Sequence, residues 1–375
     1  MLIGFCYLRF DQSARNGNFL PGVLERLSGM HPEHTFLFIS DKTIDASLPK
    51  NVIPVQVECE NKSPVKWLLS YHLKLRKILK KYQADILITE QFCSLTTKVP
   101  QILLSPDLQF VQQNGFLKKK ILSFYKRFTP RFLKKAKTII ALSEFEKNEL
   151  IKYFKTDPSK IKVISEGTEE RIELVNAEER EMIKQQYAEG NEYFIYPGII
   201  SFQKNLKNLL KAFSAFKKRQ RSGMQLLFVG EPGRQFEDFK ESLELYKFKK
   251  EIKLLSGLSE PENKKLMASA YAIVYPVEYE MSANAFLKAM QCEVPVLASS
   301  SGAVPEFCGD ASLYFQPADH KDIAEKMMEI FRDESLRKEL VKKGKTRVQN
   351  FNWSNTSDAF WKVIENTAAA PSGTV

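Results

Sequence analysis

The feature that most constrains this chain is a rhythm, in which short apolar runs of strand length alternate with longer amphipathic stretches. Strand runs fall near 2–8, 35–40, 52–57, 85–89, 101–105, 138–142 and 161–164, with helical stretches near 18–29, 65–82, 116–135 and 143–154. The rhythm returns as YFIYPG (193–198), a helix over 204–220, QLLFVGEPG (225–233), a helix over 236–247, IKLLSG (252–257), a helix over 260–270 and AIVYP (272–276). A helix over 282–292, VPVLAS (294–299) and helices over 319–332 and 335–348 follow. Strands that alternate with helices imply a parallel sheet covered on both faces. At 375 residues the chain exceeds one ordinary core. The expectation is α/β: two Rossmann-like, doubly wound parallel-sheet domains facing a central cleft, with a boundary in the polar stretch 170–192. Ligands of such sheets settle beyond the carboxyl ends of the strands.

Cysteine usage narrows the setting. Cys6, Cys59, Cys93, Cys292 and Cys308 are scattered, odd in number and without a CxxC pair, which argues against a disulfide framework and a structural zinc site. A reducing, cytoplasmic compartment is expected. No apolar run approaches the ~20 residues that span a bilayer, and MLIGFCYLRF reads as a first buried strand rather than a signal peptide.

The net charge of +11 is uneven: residues 1–170 carry 27 Lys and Arg against 17 Asp and Glu, leaving 29 against 28 for the rest. Residues 116–137, FLKKKILSFYKRFTPRFLKKAK, hold nine basic residues and no acid, interleaved with Phe116, Phe124, Tyr125, Phe128 and Phe132. An anionic membrane surface is the partner favoured for this segment, since basic residues there are worth ~1 kcal/mol each and buried apolar side chains add to it. The other readings are a solvated helix face whose apolar side packs inward, and a nucleic-acid surface. No nucleic-acid reading module is recognisable, so none is expected as a partner.

Chemistry concentrates in the second half. In FIYPGIISFQKNLKNLLKAF (194–213), Gly198 ends a strand and Lys204 precedes a helix, an environment suited to phosphate because ammonium and helix-start amides both present positive charge. A surface Lys in a first helical turn is the plainer alternative. Gly230 in FVGEPG and Gly257 in LLSGLSEPE either admit a flat ligand or satisfy tight turns. In VEYEMSANAFLK (277–288), Ser282 is expected to cap a helix with Ala283 and Asn284 in its first turn, and small side chains leave backbone N–H groups open to a diphosphate. Glu280 is expected to project a carboxylate suited to sugar hydroxyls.

These pieces, followed by AMQCEVPVLASSSGAVPEFCGD (289–310), resemble glycosyltransferase family 4, whose members are retaining enzymes of the GT-B fold that use nucleotide-activated sugars. SPDL (105–108), ALSEFEKNEL (141–150), DPSKIKVISEG (157–167) and FNWSNTSDAF (351–360) also fall in the family's order, so the resemblance covers nearly the whole chain. It implies an acceptor-side domain over 1–170, a nucleotide-sugar-binding domain over 171–350, a helix over 351–367 returning to the first domain, and a tail over 368–375.

By the same resemblance Glu280 matches the first Glu of a Glu-x7-Glu signature and touches the donor sugar, Lys204 matches the diphosphate lysine, and Gly17 in RNGNF lets backbone approach the phosphates. Gly198, Gly230, Gly257, Ser282, Ala283, Asn284 and Lys288 complete the expected donor site. Three positions depart from the family: Lys288 stands for the second Glu, Gln203 for an Arg, and Pro106 for the His of a His-Asp-Leu. Lys288 is read as restoring charge at the diphosphate or donating to ribose, with solvent exposure or a decayed site as alternatives. The implied activity is sugar transfer from a nucleoside diphosphate sugar to a glycan or lipid-linked acceptor, in bacterial surface polysaccharide or lipopolysaccharide synthesis at the inner face of the membrane. A non-catalytic GT-B-fold protein that binds a nucleotide sugar or a partner enzyme is the alternative. No metal or other cofactor is expected, since His31, His34, His72 and His320 show no ligand spacing. Glu280→Ala is expected to spare folding and remove transfer.

Overall fold

All strand pairing is parallel in the computed structural model, which describes residues 1–8, 10, 19–41, 48–59, 63–112, 118–168 and 174–369. The chain divides into two units, residues 1–165 with 354–375 and residues 166–353.

The first unit contains β1 (Leu2–Tyr7), α1 (Phe19–Met30), β2 (Thr35–Ser40), β3 (Val52–Gln56), α2 (Pro64–Tyr82), β4 (Ile86–Glu90), β5 (Gln101–Leu104), α3 (Gln109–Gln112), α4 (Lys119–Lys135), β6 (Thr138–Ala141), α5 (Glu144–Phe154) and β7 (Ile161–Val163). Its sheet order is β3-β2-β1-β4-β5-β6-β7. Ile86 to Glu90 and Gln101 to Leu104 are buried throughout, as central strands covered on both faces must be.

The second unit contains α6 (Ala177–Ala188), β8 (Tyr193–Pro197), α7 (Leu206–Gln220), β9 (Gln225–Val229), α8 (Phe236–Leu243), β10 (Ile252–Leu255), α9 (Glu260–Ala268), β11 (Ala272–Tyr275), α10 (Asn284–Gln291), β12 (Val296–Ser299), α11 (Val304–Cys308), β13 (Ser312–Phe315), α12 (His320–Arg332) and α13 (Glu334–Val348). The sheet order is β10-β9-β8-β11-β12-β13. The last helix, α14 (Trp353–Ala369), joins the first unit, where Phe360 meets Phe19 and Trp361 stacks on His31 at 3.6 Å. The sequence reading omitted α3, α11 and β13, all too short to show periodicity.

Helix α4 revises the part that its aromatic side chains were expected to play at a membrane surface. Phe124, Tyr125 and Phe132 are buried in an aromatic cluster with Phe92, and the Arg127 and Arg131 guanidinium groups lie over the Phe128 ring. Three of the aromatic residues of 116–137 therefore build the core, Phe128 is half-buried, and the helix shows mainly its Lys and Arg outward. Phe116 lies outside the described residues. The five cysteines are free; burial pushes Cys6 and Cys93 up to about 12 and Cys292 up to about 11, which keeps these thiols protonated at neutral pH. Among the described residues no helix is long and apolar enough to cross a membrane.

Two glycines bear different loads. A Cβ on Gly230 (φ +154) would lie 2.1 Å from the Gly198 carbonyl oxygen, whereas one on Gly257 (φ +70) would meet nothing within 4 Å. Gly257→Ala should cost about 1–2 kcal/mol, the left-handed backbone penalty alone. Gly230→Ala should cost about 3 kcal/mol or more, because overlap adds to conformation. Denaturant unfolding of both variants checks this, and equal losses would show that the Gly198–Gly230 approach is not a constraint.

Candidate functional site

In the second unit the strand order reverses direction between the neighbours β8 and β11: the chain leaves β8 toward β9 and leaves β11 toward β12. Such a switch point opens a crevice at the carboxyl ends of the strands. Gly198 and Lys204 follow β8, Gly230 follows β9, Gly257 follows β10, and Glu280 to Asn284 follow β11. Parallel pairing puts all these exits at one edge of the sheet.

Glu280 organises that edge. Its Oε1 accepts from the backbone N–H groups of Met281 (3.0 Å) and Ser282 (3.1 Å), while Oε2 accepts from the Tyr275 hydroxyl (2.9 Å) and lies 3.6 Å from Lys204 Nζ. The residue is 9% exposed. A carboxylate so enclosed is tolerable because each oxygen has donors or a cation. Burial, with the Glu280 charge second, holds the Tyr275 phenol well above its ordinary range, and Tyr196, stacked on Tyr275, is raised by the same causes. Tyr275 is thus a permanent donor.

Lys204 ends the short 3-10 turn Phe202–Lys204, which Ser201 caps by accepting from Gln203 N. Asn205 follows in the left-handed region at φ 60, a conformation that Asn tolerates better than most residues. Its Nδ2 donates to the carbonyls of Pro276 (2.8 Å) and Pro317 (2.7 Å), tying this turn to the exits of β11 and β13. The Lys-Asn pair divides its work: Asn205 anchors the backbone and Lys204 presents its ammonium to Glu280.

The loop after β11 differs from expectation. The helix starts at Asn284 with Ala283 at the N-cap position in helical conformation and no side-chain cap. Ser282 lies one residue earlier, and its hydroxyl accepts from Asn284 N at 3.3 Å. The amides of Met281, Ser282 and Asn284 are therefore already engaged, and Glu280 turns its carboxylate back onto its own loop. The Glu280 side chain thereby fixes the two residues that follow it, ahead of a helix that has no side-chain cap of its own.

Gly198 N donates to Val229 O and Gly230 N to Leu255 O, so these two glycines extend the sheet's hydrogen bonding beyond the strands. Gly257 N donates to Glu231 Oε1 at 3.1 Å. Lys288 Nζ lies 3.5 Å from Glu260 Oε1 at the start of α9, with both side chains partly exposed. A pair of that kind is worth about 0–1 kcal/mol, so Lys288 is available to another anion at little cost. Gln203 lies in the same short turn as Lys204. In the first unit, Asp107 beside Pro106 caps α3 by accepting from Gln109 N. Gly17 lies outside the described residues. Among the described residues no group of three or more His, Cys, Asp or Glu is placed to hold a metal ion.

Two participants escaped the sequence reading. Tyr275 closes a buried strand, where an aromatic residue is unremarkable until its hydroxyl is seen on Glu280. Gly302 (φ +68), in SSSGAVPE, lets the loop after β12 rest on Glu280: a Cβ there would lie 3.2 Å from both the N and O of Glu280, and Ala303 N donates to Glu280 O. The run of small residues was the available signal.

An ammonium beside an enclosed carboxylate at a switch point is suited to an anion at one end and hydroxyl groups at the other. Residues 177–347 match the family model described as glycosyl transferases group 1, and residues 27–170 match that of glycosyltransferase family 4. O-antigen chain mannosyltransferase B of Escherichia coli is 27% identical over 224 residues, covering 60% of this chain and 59% of the relative. The serotype-specific mannosyltransferase WbdA of Escherichia coli is 25% identical over 248 residues, 64% of this chain and 30% of the relative. The chain thus spans well under two thirds of the length of these relatives. Sucrose-phosphate synthase from Thermosynechococcus elongatus superposes with a TM-score of 0.82 at 18% identity, covering 99% of this chain and 100% of that one.

The geometry revises the expectation that Glu280→Ala spares folding, because the substitution strips partners from two amides, a buried phenol and an ammonium. Glu280→Ala should cost about 3–4 kcal/mol, whereas Glu280→Gln, which still accepts from both amides, should cost about 1–2 kcal/mol. Denaturant unfolding of the two variants measures the difference, and an unchanged Glu280→Ala midpoint would remove Glu280 as the organiser of the loop.

Proposed function

From the premise that this chain is a glycosyltransferase family 4-like protein with the GT-B fold, we propose that it moves a sugar from a nucleoside diphosphate carrier to a glycan or lipid-linked acceptor, with retention of anomeric configuration. The setting is assembly of a bacterial surface polysaccharide or lipopolysaccharide, on the strength of the O-antigen role in the name of mannosyltransferase B. Mannose is accordingly the first sugar to test.

The observation that carries this reading is the Lys204–Glu280 pair at 3.6 Å, made by residues that lie past the ends of the two strands flanking the switch point. In the transfer, the bond from the anomeric carbon to the diphosphate oxygen breaks, the acceptor hydroxyl oxygen bonds to that carbon on the same face as its proton passes to the departing diphosphate, and the diphosphate gathers negative charge as the bond breaks. Fixed positive charge at the departing oxygens lowers that barrier. Lys204 supplies it. Donor entry exchanges one anion for another at Lys204, and Glu280 keeps its carboxylate in place through Tyr275 and the amides of Met281 and Ser282, ready for sugar hydroxyls.

Lys288 stands eight residues after Glu280, and its weak exposed pair with Glu260 leaves it able to turn to a diphosphate or to ribose hydroxyls as a donor. No metal or other cofactor enters this reading. The protein works at the cytoplasmic face of the membrane, to which the basic exterior of α4 draws the acceptor-binding unit. A second reading, a non-catalytic protein of this fold that binds nucleotide sugar, is favoured by one observation: Lys288 stands where the resemblance expects a second Glu and pairs with Glu260 instead.

Thermal-shift measurement with UDP, GDP and their sugars should show stabilisation by one nucleotide series, and no stabilisation by any would sink both readings. Binding without transfer across a donor and acceptor panel selects the second reading. Lys204→Ala should lower kcat/KM about 100- to 1000-fold while the protein stays folded. Lys288→Glu should lower turnover; an increase would mean that Lys288 occupies the site without serving it.

A further inference from the structure

Helix α2 carries a second, outward apolar line. Val65, Leu69 and Leu73 recur every four residues and are 61%, 61% and 53% exposed, while Trp67, Leu68, Tyr71, Leu75 and Leu79 bury the opposite face. The spacing sets the three side chains one above another along ~12 Å of helix. The other large apolar side chains exposed among the described residues, such as Met182 and Leu245, are scattered along the chain. A contiguous exposed apolar line marks an interaction surface more often than scattered residues do.

Its surroundings decide the partner. Helix α2 has six Lys and Arg and α4 has seven, and neither helix contains an Asp or Glu. Those charges exceed the net +11 of the whole chain. The two helices pack against each other, and both carry the chain in the same direction across the sheet, α2 from β3 to β4 and α4 from β5 to β6; right-handed crossovers therefore place them on one face. Arg76 and Lys80 continue the apolar line by two turns, and Lys66, Lys74, Lys77 and Lys81 flank it.

We propose that α2 lies in the headgroup region of an anionic bilayer, with Val65, Leu69 and Leu73 inserted among the acyl chains and the Lys and Arg of α2 and α4 paired with lipid phosphates. This extends the membrane association proposed above, which rested on charge alone, by assigning the apolar anchor and the face that meets the lipid. A second copy of the chain fits the surface poorly, because it sets two acid-free basic faces against each other. A nucleic acid takes the charges but has no use for the leucines. Lipid takes both: apolar side chains gain by leaving water, and each nearby base adds attraction to anionic headgroups.

The test is cosedimentation of the full chain with vesicles of phosphatidylcholine alone and of phosphatidylcholine mixed with phosphatidylglycerol, at low and rising salt. Wild type should bind the mixed vesicles, less so as salt rises. Leu69→Asn/Leu73→Asn, which keeps every charge, should bind them about tenfold more weakly or worse, and Lys126→Gln/Lys134→Gln should bind more weakly with a shallower salt dependence. Leu69→Trp should bind at least as well as wild type and shift its emission to the blue on mixed vesicles. If the leucine variant binds like wild type and the Trp emission does not move, the apolar anchor is refuted while charge-driven association stands; if wild type ignores mixed vesicles at low salt, both fall. A concentration-dependent dimer in light scattering that the leucine variant abolishes would assign the line to a second copy and overturn the inference.

Discussion

One carboxylate holds the candidate site together. Glu280 gathers the amides of Met281 and Ser282, the phenol of Tyr275 and the ammonium of Lys204 around two oxygens that are nearly closed off from water. A buried charge without such partners would be expelled or neutralised, so donors of this kind are conditions of its being there. The loop after β11, the turn after β8 and the loop that carries Gly302 take their positions from satisfying it. What a ligand meets at this edge is a set of groups already oriented by their mutual bonds.

That arrangement also explains why the glycines and Asn205 recur in the motif pieces. Gly230 is compelled by the Gly198 carbonyl, and Gly302 by the backbone of Glu280, so both report close approach of protein to protein. Asn205 ties the Lys204 turn to two strand exits through one amide group. In these positions the motif residues also serve as scaffold for the turns that carry Lys204 and Glu280.

The first unit divides its chemistry differently. Helices α2 and α4 bury aromatic side chains on their inner faces and show basic ones outward, and the two properties were interleaved too closely in residues 116–137 to be assigned to faces by reading alone. Packing put Phe124, Tyr125 and Phe132 inside, leaving charge outside on α4 and an exposed apolar line on the neighbouring α2.

Composition and periodicity in the sequence determined that this chain forms two α/β units with parallel strands, nearly all of their elements, and the placement of Lys204 and Glu280 just past strand ends, because apolar runs and helical spacing are local signals. They left open which strands would be neighbours. Only the tertiary structure set β8 beside β11, and so brought together two residues 76 positions apart in the chain. The same holds for the start of α10, for Tyr275 and for the Lys288–Glu260 pair. The physical reason is that a buried carboxylate recruits whatever donors the fold brings within reach, and reach in a folded chain is decided by strand order and side-chain packing, which no local pattern encodes.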